Sequence, residues 1–524
     1  MVSIIRNEIL QHYIDIYDII VLIFCEIQKE TKSMNDFFRS FFEIIPVTIA
    51  IIYLFVVFIT GLVIFFERRN PPQTVAWLLI LLALPVIGFV LYFFFGNNIR
   101  KRMIFKKMKL DEGPIGCLEL VQSQKERAKQ KALFGYDKNT YIKHKLINLL
   151  LNNSRSPFTS NNKSEVYTYG EEAFASKINA MENAKHHIHL EYFIVKDDKL
   201  GNKIKDVLIK KAKQGVEVRF IYDGFGGFGL GRKFLKDLKD AGVQVKAFLP
   251  IRMIPFFNSE LNHRNHRKIL VVDGTIGYLG GLNIGDEYIN RNPKYPFWRD
   301  THFKIEGEAV YVLQNIFFKT WRFVAEEVPE GQEYFPKQGK VGRELIQVVP
   351  SGPDYEWESI KQAYFSIITS AKDKLYITTP YLIPDESILT ALKTTALSGV
   401  DVKIIVPGVA DKQFVYYATC SYFEELIEAG VRIYKYNKGF IHAKILTVDS
   451  VIASIGTANF DNRSFLYNFE VNAFCFQSPT VERLDEDFYE DLEDCTEVTL
   501  ESLENKTLWV KFMESTARLA SPLL

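Results

Sequence analysis

Hydrophobic and polar positions divide this chain into two regimes. Near the N-terminus two stretches carry no charge: "IIPVTIAIIYLFVVFITGLVIFF" (Ile44 to Phe66) and "VAWLLILLALPVIGFVLYFFF" (Val75 to Phe95). Each matches the roughly 20 apolar residues that cross a bilayer core. Neither shows the polar face that a surface helix of a globular protein keeps toward water. Only "ERRNPPQT" separates them, so the pattern predicts a two-helix transmembrane hairpin over residues 44–96, after an N-terminal extension (1–43). The first run lies far from Met1 with no small-residue cleavage site after it, which argues against a signal peptide.

Basic residues orient the hairpin. "RKRMIFKKMK" (Arg100 to Lys109) holds six Lys/Arg and no acid, whereas the hairpin loop has only Arg68 and Arg69. Positive flanks stay on the cytoplasmic side, so the large C-terminal part is expected there. The same stretch would lie against anionic headgroups, at about 1 kcal/mol per residue. Residues 97–163 read as this basic juxtamembrane segment and a linker, ending in the turn-rich "NNSRSPFTSNNKS".

Beyond the linker the periodicity changes. Short β-branched runs alternate with helical stretches such as "NKIKDVLIKKAKQ", which predicts α/β layers around a largely parallel sheet. The pattern then repeats at domain scale. "AKHHIHLEYFIV" is answered by "DKLYITTPYLIP", "GVEVRFIYDG" by "GVDVKIIVPG", and "AGVQVKAF" by "AGVRIYKY". The two copies are expected over 164–330 and 345–500, followed by a C-terminal amphipathic helix (501–524). That helix suits either an interfacial or a docked role.

At matching places the copies carry "HRKILVVDG" (His266 to Gly274) and "HAKILTVDS" (His442 to Ser450). If each phrase is a strand, His266 and Lys268 share one face, as do His442 and Lys444. An imidazole beside an ammonium suits a phosphate: a nucleophile or acid next to fixed positive charge. One such pair would be incidental. Two, brought together by a pseudo-twofold, give a base, an acid and two cations around one phosphorus. Asp273 and Asp449 lie past the strand ends and read as turn residues. Asn283 and Asn459 follow at equal spacing, after Gly280-Gly281 and Gly456.

The doubled His-x-Lys-x-x-x-x-Asp phrase resembles the hallmark of the phospholipase D superfamily, over about Lys163 to Glu490. With the hairpin, its "ERRNPPQTVAWLL" joint and "FWRDTHFKIEG" (Phe297 to Gly307), the chain is similar in particular to bacterial cardiolipin synthases. The resemblance implies two α/β repeats sharing one active site in a multi-pass protein of the bacterial cell membrane. It also implies transfer of a phosphatidyl group between two phosphatidylglycerol molecules, releasing glycerol through a phosphatidyl-histidine. It carries over His266, Lys268 and Asp273 with His442, Lys444 and Asp449 as the catalytic set, and Asn283 and Asn459 as phosphate-binding residues. His266 would be the nucleophile and His442 the acid–base, although the near-symmetry of the sequence does not separate them. Superfamily members place an acid downstream of each histidine. Here that implies Asp300 ("WRDTH") on His266 and Glu470 ("NFEVN") on His442, with Asp273 and Asp449 capping turns.

Composition narrows the alternatives. Lys+Arg 64 against Asp+Glu 63 leaves a net charge of +1, so no global field calls for nucleic acid. A nuclease would want a basic groove with stacking aromatics; a non-catalytic scaffold would be expected to have lost a motif His or Lys. A membrane-bound hydrolase or nuclease of the phospholipase D type remains the alternative. The partners expected are phosphatidylglycerol and anionic lipid, and the pattern carries no signal for an oligomeric state. No acidic cluster calls for a metal, and the chemistry calls for no cofactor. The five scattered cysteines suit free thiols. "GFGGFG" (Gly224 to Gly229) fits a dinucleotide fingerprint locally, but no ribose-binding acid follows, and a flexible loop over the site is expected instead. "HHIH" (His186 to His189) has no histidine counterpart in the second copy and reads as a strand edge rather than a metal site.

Overall fold

The computed structural model describes residues 47–66, 71–84, 117–129, 140–250 and 262–524, apart from 293 and 328, with single positions at 88 and 92. The chain divides into two compact units, Met1–Asn98 and Ile99–Leu524. In the first, Val47–Phe66 and Pro71–Ala83 are helices, and Ile64, Leu81 and Tyr92 are buried together. The second helix is 13 residues long, and side chains of the first are described only from Phe55 onward. Among the described residues, no helix is long and apolar enough to cross a membrane. The expectations for residues 1–43, the hairpin loop and the basic stretch Arg100–Lys109 lie outside the described residues.

The second unit contains the duplication as two sheets of matching topology. The first orders its seven strands Asn162–Tyr167, His302–Gly307, Ile276–Gly280, Lys268–Val272, His187–Tyr192, Glu217–Asp223, Gln244–Phe248. The second runs Leu345–Ser351, Glu470–Phe476, Ile452–Gly456, Ile445–Val448, Lys374–Thr378, Asp401–Pro407, Arg432–Tyr436. It gains Phe158–Thr159 at one edge and Cys495–Val498 at the other. A largely parallel sheet was expected; the sheets are mixed. Only the last two pairings in each order, such as His187–Tyr192 with Glu217–Asp223, are parallel. The reason is local. Lys268–Val272 turns directly into Ile276–Gly280 through Asp273 and Gly274, both at positive φ (50° and 63°). Such a tight turn permits only antiparallel pairing. Asp449 and Ser450 repeat it at φ 51° and 52°.

These central strands are buried on both faces, hence their unbroken apolar runs. Ile269 and Val271 face a core shared by both sheets and the helices Ala309–Ala325 and Pro479–Glu493. Leu270 and Val272 face the first repeat's outer helices. The shared core makes the repeats one body.

The expected linker is not one throughout. Thr140–Asn153 is a helix whose Ile142, Leu146, Ile147, Leu150 and Leu151 are buried in the second repeat's outer core. Their spacing is that of an amphipathic helix. Phe158–Thr159 then joins the second sheet and Asn162–Tyr167 the first, so this segment stitches the repeats together. The C-terminal helix Leu508–Leu519 docks through Ala517, while Leu508, Trp509 and Phe512 stay exposed. Cys420, Cys475 and Cys495 are free thiols.

Candidate active site

The two motif histidines lie just ahead of their strands, where the chain crosses to the other repeat. Asn265 bridges Phe469 in parallel, and the backbone N–H of His266 donates to Phe469 O at 2.9 Å. In the other half Phe440–Ile441 pairs in parallel with Trp298–Arg299, and His442 N donates to Arg299 O at 2.6 Å. Each crossing sets a histidine against the acid that ends the opposite repeat's segment. His266 Nδ1 donates to Glu470 at 2.9 Å, and His442 Nδ1 donates to Asp300 at 2.7 Å.

The expected pairing is therefore reversed. Asp300 supports His442 rather than His266, and Glu470 supports His266 rather than His442. Sequence distance favoured the acid in the same copy, but the parallel bridges bring the opposite one. With an ionised carboxylate accepting at Nδ1, each imidazole presents the Nε2 lone pair outward.

All four groups are buried. Burial pushes the Asp300 and Glu470 carboxyls up, but their imidazoles, lysines and hydrogen bonds outweigh it and hold both below the usual range. Burial pushes both imidazoles down to about 4, against the pull of their carboxylates. Lys268 and Lys444 donate to the backbone carbonyls of His266 and His442 respectively, the first at 2.6 Å. Burial lowers Lys268 to about 7 and Lys444 to about 8, each partly restored by Glu470 and Asp300. Lys444 also acts on His266 and Lys268 on His442. The two half-motifs thus form one site.

The other expected residues fall around it. Asn283 accepts from Ile194 N and donates to Tyr288 Oη at 3.2 Å. Asn459 donates to Asp461 at 3.1 Å, while its Oδ1 is buried without a partner. Asp273 and Asp449, carried over as catalytic, lie at the far ends of their strands. Asp273 accepts from the backbone N–H groups of Lys185, His186 and His187, and Asp449 from those of Lys372, Asp373 and Lys374. They cap turns, as their position past the strand end implied.

Those caps also fix the register of the duplication. Lys185 answers Lys372, so "AKHHIHLEYFIV" aligns with residues 371–382, two residues earlier than its apolar pattern suggested. His187 and His189 sit on an interior strand of the first sheet rather than at an edge. His189 stacks on Phe317 at 4.5 Å and meets Gln314 and Arg219.

The family model described as "Cardiolipin synthase, PLD-like domain" matches residues 178–321 and again 364–492. That described as "Phospholipase_D-nuclease N-terminal" matches residues 49–97. The chain is 44% identical over 481 residues to a cardiolipin synthase of Alkalihalophilus pseudofirmus, covering 91% of this chain and 94% of that one. It is 46% identical over 492 residues to one of Halalkalibacterium halodurans (93% and 96%). It is 42% identical over 497 residues to the major cardiolipin synthase of Bacillus subtilis (94% and 100%). The chain belongs to the cardiolipin synthase family.

Among solved structures, phosphatidylserine synthase of Haemophilus influenzae covers 74% of this cardiolipin synthase family member and 100% of its own chain. Its TM-score is 0.56 at 15% identity, a likeness of fold. Within that fold, several contacts around the site had escaped the sequence reading. Thr457 Oγ1 donates to Glu470 at 2.5 Å. Gly281 occupies the matching place in the first copy, where an added Cβ would lie 1.9 Å from Asp300 Oδ1. Phe193 stands edge-on to His266 at 5.1 Å, and Trp298 lies 5.3 Å from His442. Buried Asp223 accepts from Asn265 N, beside His266, and from Phe225 N and Gly226 N. The "GFGGFG" segment is therefore a pinned turn, not a free loop. A Cβ at Gly226 would lie 2.0 Å from Phe193 O. Asp223 closing the strand before a glycine run was the available signal.

Proposed function

We propose that this chain makes cardiolipin from two phosphatidylglycerol molecules, with release of glycerol. It is an enzyme, a phosphatidyltransferase. The observation that carries the mechanism is the pair of buried histidine–carboxylate contacts meeting across the repeats, with a lysine beside each. In the first half-reaction His266 Nε2 attacks phosphorus. The bond to the glycerol oxygen breaks, and that oxygen takes a proton from His442. In the second, His442 accepts the hydroxyl proton of an incoming phosphatidylglycerol as its oxygen bonds phosphorus and the phosphorus–nitrogen bond to His266 breaks. Lys268 and Lys444 compensate the non-bridging oxygens, joined by the side-chain amides of Asn283 and Asn459. One phosphodiester replaces another, so no energy-supplying nucleotide is required. Exclusion of water is required, because hydrolysis would yield phosphatidic acid.

The apolar runs Ile44–Phe66 and Val75–Phe95 are assigned to a membrane hairpin with the catalytic unit on the cytoplasmic side. The absence of charge in both runs, the basic stretch Arg100–Lys109 and the N-terminal family match over residues 49–97 support this. The test is the purified full chain in phosphatidylglycerol vesicles, with lipid and glycerol products resolved. Cardiolipin with equimolar glycerol is expected. Phosphatidic acid alone would make the protein a hydrolase, and DNA cleavage without lipid turnover a nuclease.

A further inference from the structure

Each histidine–carboxylate pair forms where two segments cross, and pairing matches those segments between the halves. Asn265, just before His266, bridges Phe469, just before Glu470. Ile441, just before His442, pairs with Arg299, just before Asp300. The residue after each histidine therefore has a counterpart, Arg267 against Ala443. So has the residue before each acid, Phe469 against Arg299. One arginine serves each half, but from opposite positions.

Both arginines end on the same kind of atom. Arg267 is 2% exposed. Its Nε donates across the repeats to the backbone oxygen of Glu470 at 3.2 Å, and its Nη1 to Thr320 Oγ1 at 3.2 Å. The guanidinium lies 5.4 Å from the Phe469 ring centre. Arg299 is 5% exposed. Its Nη1 donates to the backbone oxygen of Asp300 at 2.7 Å and to Thr301 Oγ1 at 3.0 Å. Each guanidinium also faces a buried acid: Glu191 lies 3.9 Å from Arg267, and Asp491 accepts from Arg299 Nε at 2.8 Å. Glu191 in turn accepts from Asn265 Nδ2 at 2.7 Å and Thr320 Oγ1 at 3.1 Å. This network thus holds the residues on both sides of His266.

Burying a guanidinium is costly unless it is paired and its donors are used. Filling space does not call for one, since Ala443 and Phe469 occupy the counterpart positions, both buried. What the halves share is a contact rather than a residue at a fixed position. In each, a guanidinium grips the main-chain oxygen of the residue that carries the site carboxylate.

We propose that Arg267 and Arg299 are positioning residues, each pinning the main chain at one acid so that Glu470 and Asp300 meet their imidazoles without adjustment during transfer. The proposal rests on the mechanism above. A carboxylate fixes an imidazole only if its own backbone stays in place, and a shift of about 1 Å costs about 10²-fold. The planar fork of arginine suits the task, because it spans carbonyl and acid at once.

The test removes each guanidinium together with its buried acid, so that no charge is stranded: Arg267→Met/Glu191→Gln and Arg299→Met/Asp491→Asn. The full chain is assayed in phosphatidylglycerol vesicles. First-turnover release is also read with a phosphatidyl ester of p-nitrophenol, whose leaving group needs no proton. Asp300→Asn and Glu470→Gln serve as references. Each double variant is expected to lose about 10²-fold in kcat, with KM within about twofold of the parent's. Each should also reproduce the pattern of its own acid. Release from the ester recovers in the Arg299 variant, as in Asp300→Asn, and stays low in the Arg267 variant, as in Glu470→Gln. If the histidines exchange roles, each arginine still follows its acid and the proposal stands. The ester reports transfer to water as well, so a parent that makes no cardiolipin fails the functional reading alone. Should a double variant melt below the assay temperature, Arg267→Lys and Arg299→Lys keep the ion pair but lose the fork. The same pattern is then expected at about tenfold loss. Equal losses on both substrates mark a merely structural role and overturn the proposal, as do parent-like rates in a folded variant.

Discussion

Glu470, in the second repeat, and His266, in the first, share a hydrogen bond of 2.9 Å across 204 residues of chain. The reciprocal contact, His442 with Asp300, spans 142 residues. Each half therefore supplies the histidine of one pair and the carboxylate of the other.

On the proposed mechanism the two acids serve separate steps. Asp300→Asn would impair the proton donor and Glu470→Gln the nucleophile, and each is expected to cost about 10³-fold or more in the natural transfer. With a phosphatidyl ester of p-nitrophenol, whose leaving group needs no proton, first-turnover release should recover largely in Asp300→Asn and stay low in Glu470→Gln. Recovery in Glu470→Gln instead would mean that the roles of the histidines are exchanged.

The lysines give binding a pH dependence. Lys268 and Lys444 are held near 7 and 8 by burial, so at pH 8 part of the free protein lacks one or both charges. A bound phosphodiester anion favours the charged forms. Binding should therefore take up protons at pH 8, and affinity should fall as pH rises through that range. Calorimetry with a non-transferable phosphatidylglycerol analogue, in buffers of different ionisation enthalpy, reads the uptake directly. Lys268→Gln should reduce it.

Gly281 is required by sterics rather than by backbone conformation. Its missing Cβ is the space that Asp300 Oδ1 occupies. Gly281→Ala should displace the carboxylate and reproduce the Asp300→Asn rate, including its rescue by the activated ester, with a folded near-ultraviolet spectrum. Activity within about twofold of the parent would show that Asp300 tolerates the shift.

Asp273 and Asp449 are expected to matter for stability instead. Each carboxylate accepts from three backbone N–H groups while its own residue stands at positive φ. Asp273→Ala should destabilise by about 2–3 kcal/mol from lost charge-assisted bonds and left-handed backbone strain. Asp273→Asn should cost less, because asparagine tolerates that conformation. Urea titration measures the difference. Activity per folded molecule should stay within about threefold.

Much of this was legible in the sequence because it repeats. Two copies of one phrase located His266, Lys268, His442 and Lys444 with no structure at all. Asp300 and Glu470 were recognisable as acids of the site, but their partners were not. Chain order favours the nearer histidine, and nothing in "WRDTH" or "NFEVN" records a bridge to a segment in the other repeat. The mixed sheet was readable in Asp273-Gly274, a strong hairpin signal, but the strand–helix alternation around it suggested a parallel layer. Thr457 stayed hidden for the opposite reason. It stands where the copies differ, and a search for likeness passes over differences.

The crossed contacts also bear on how the enzyme comes into being. During synthesis His266 and its lysine emerge long before Glu470, and Asp300 waits for His442. A nascent first repeat thus carries an imidazole without the carboxylate that fixes its tautomer and the partner that donates the proton. A first repeat alone therefore lacks both the carboxylate that accepts from His266 and the second histidine. The complete set of four groups is assembled only when the strand Glu470–Phe476 has joined its sheet.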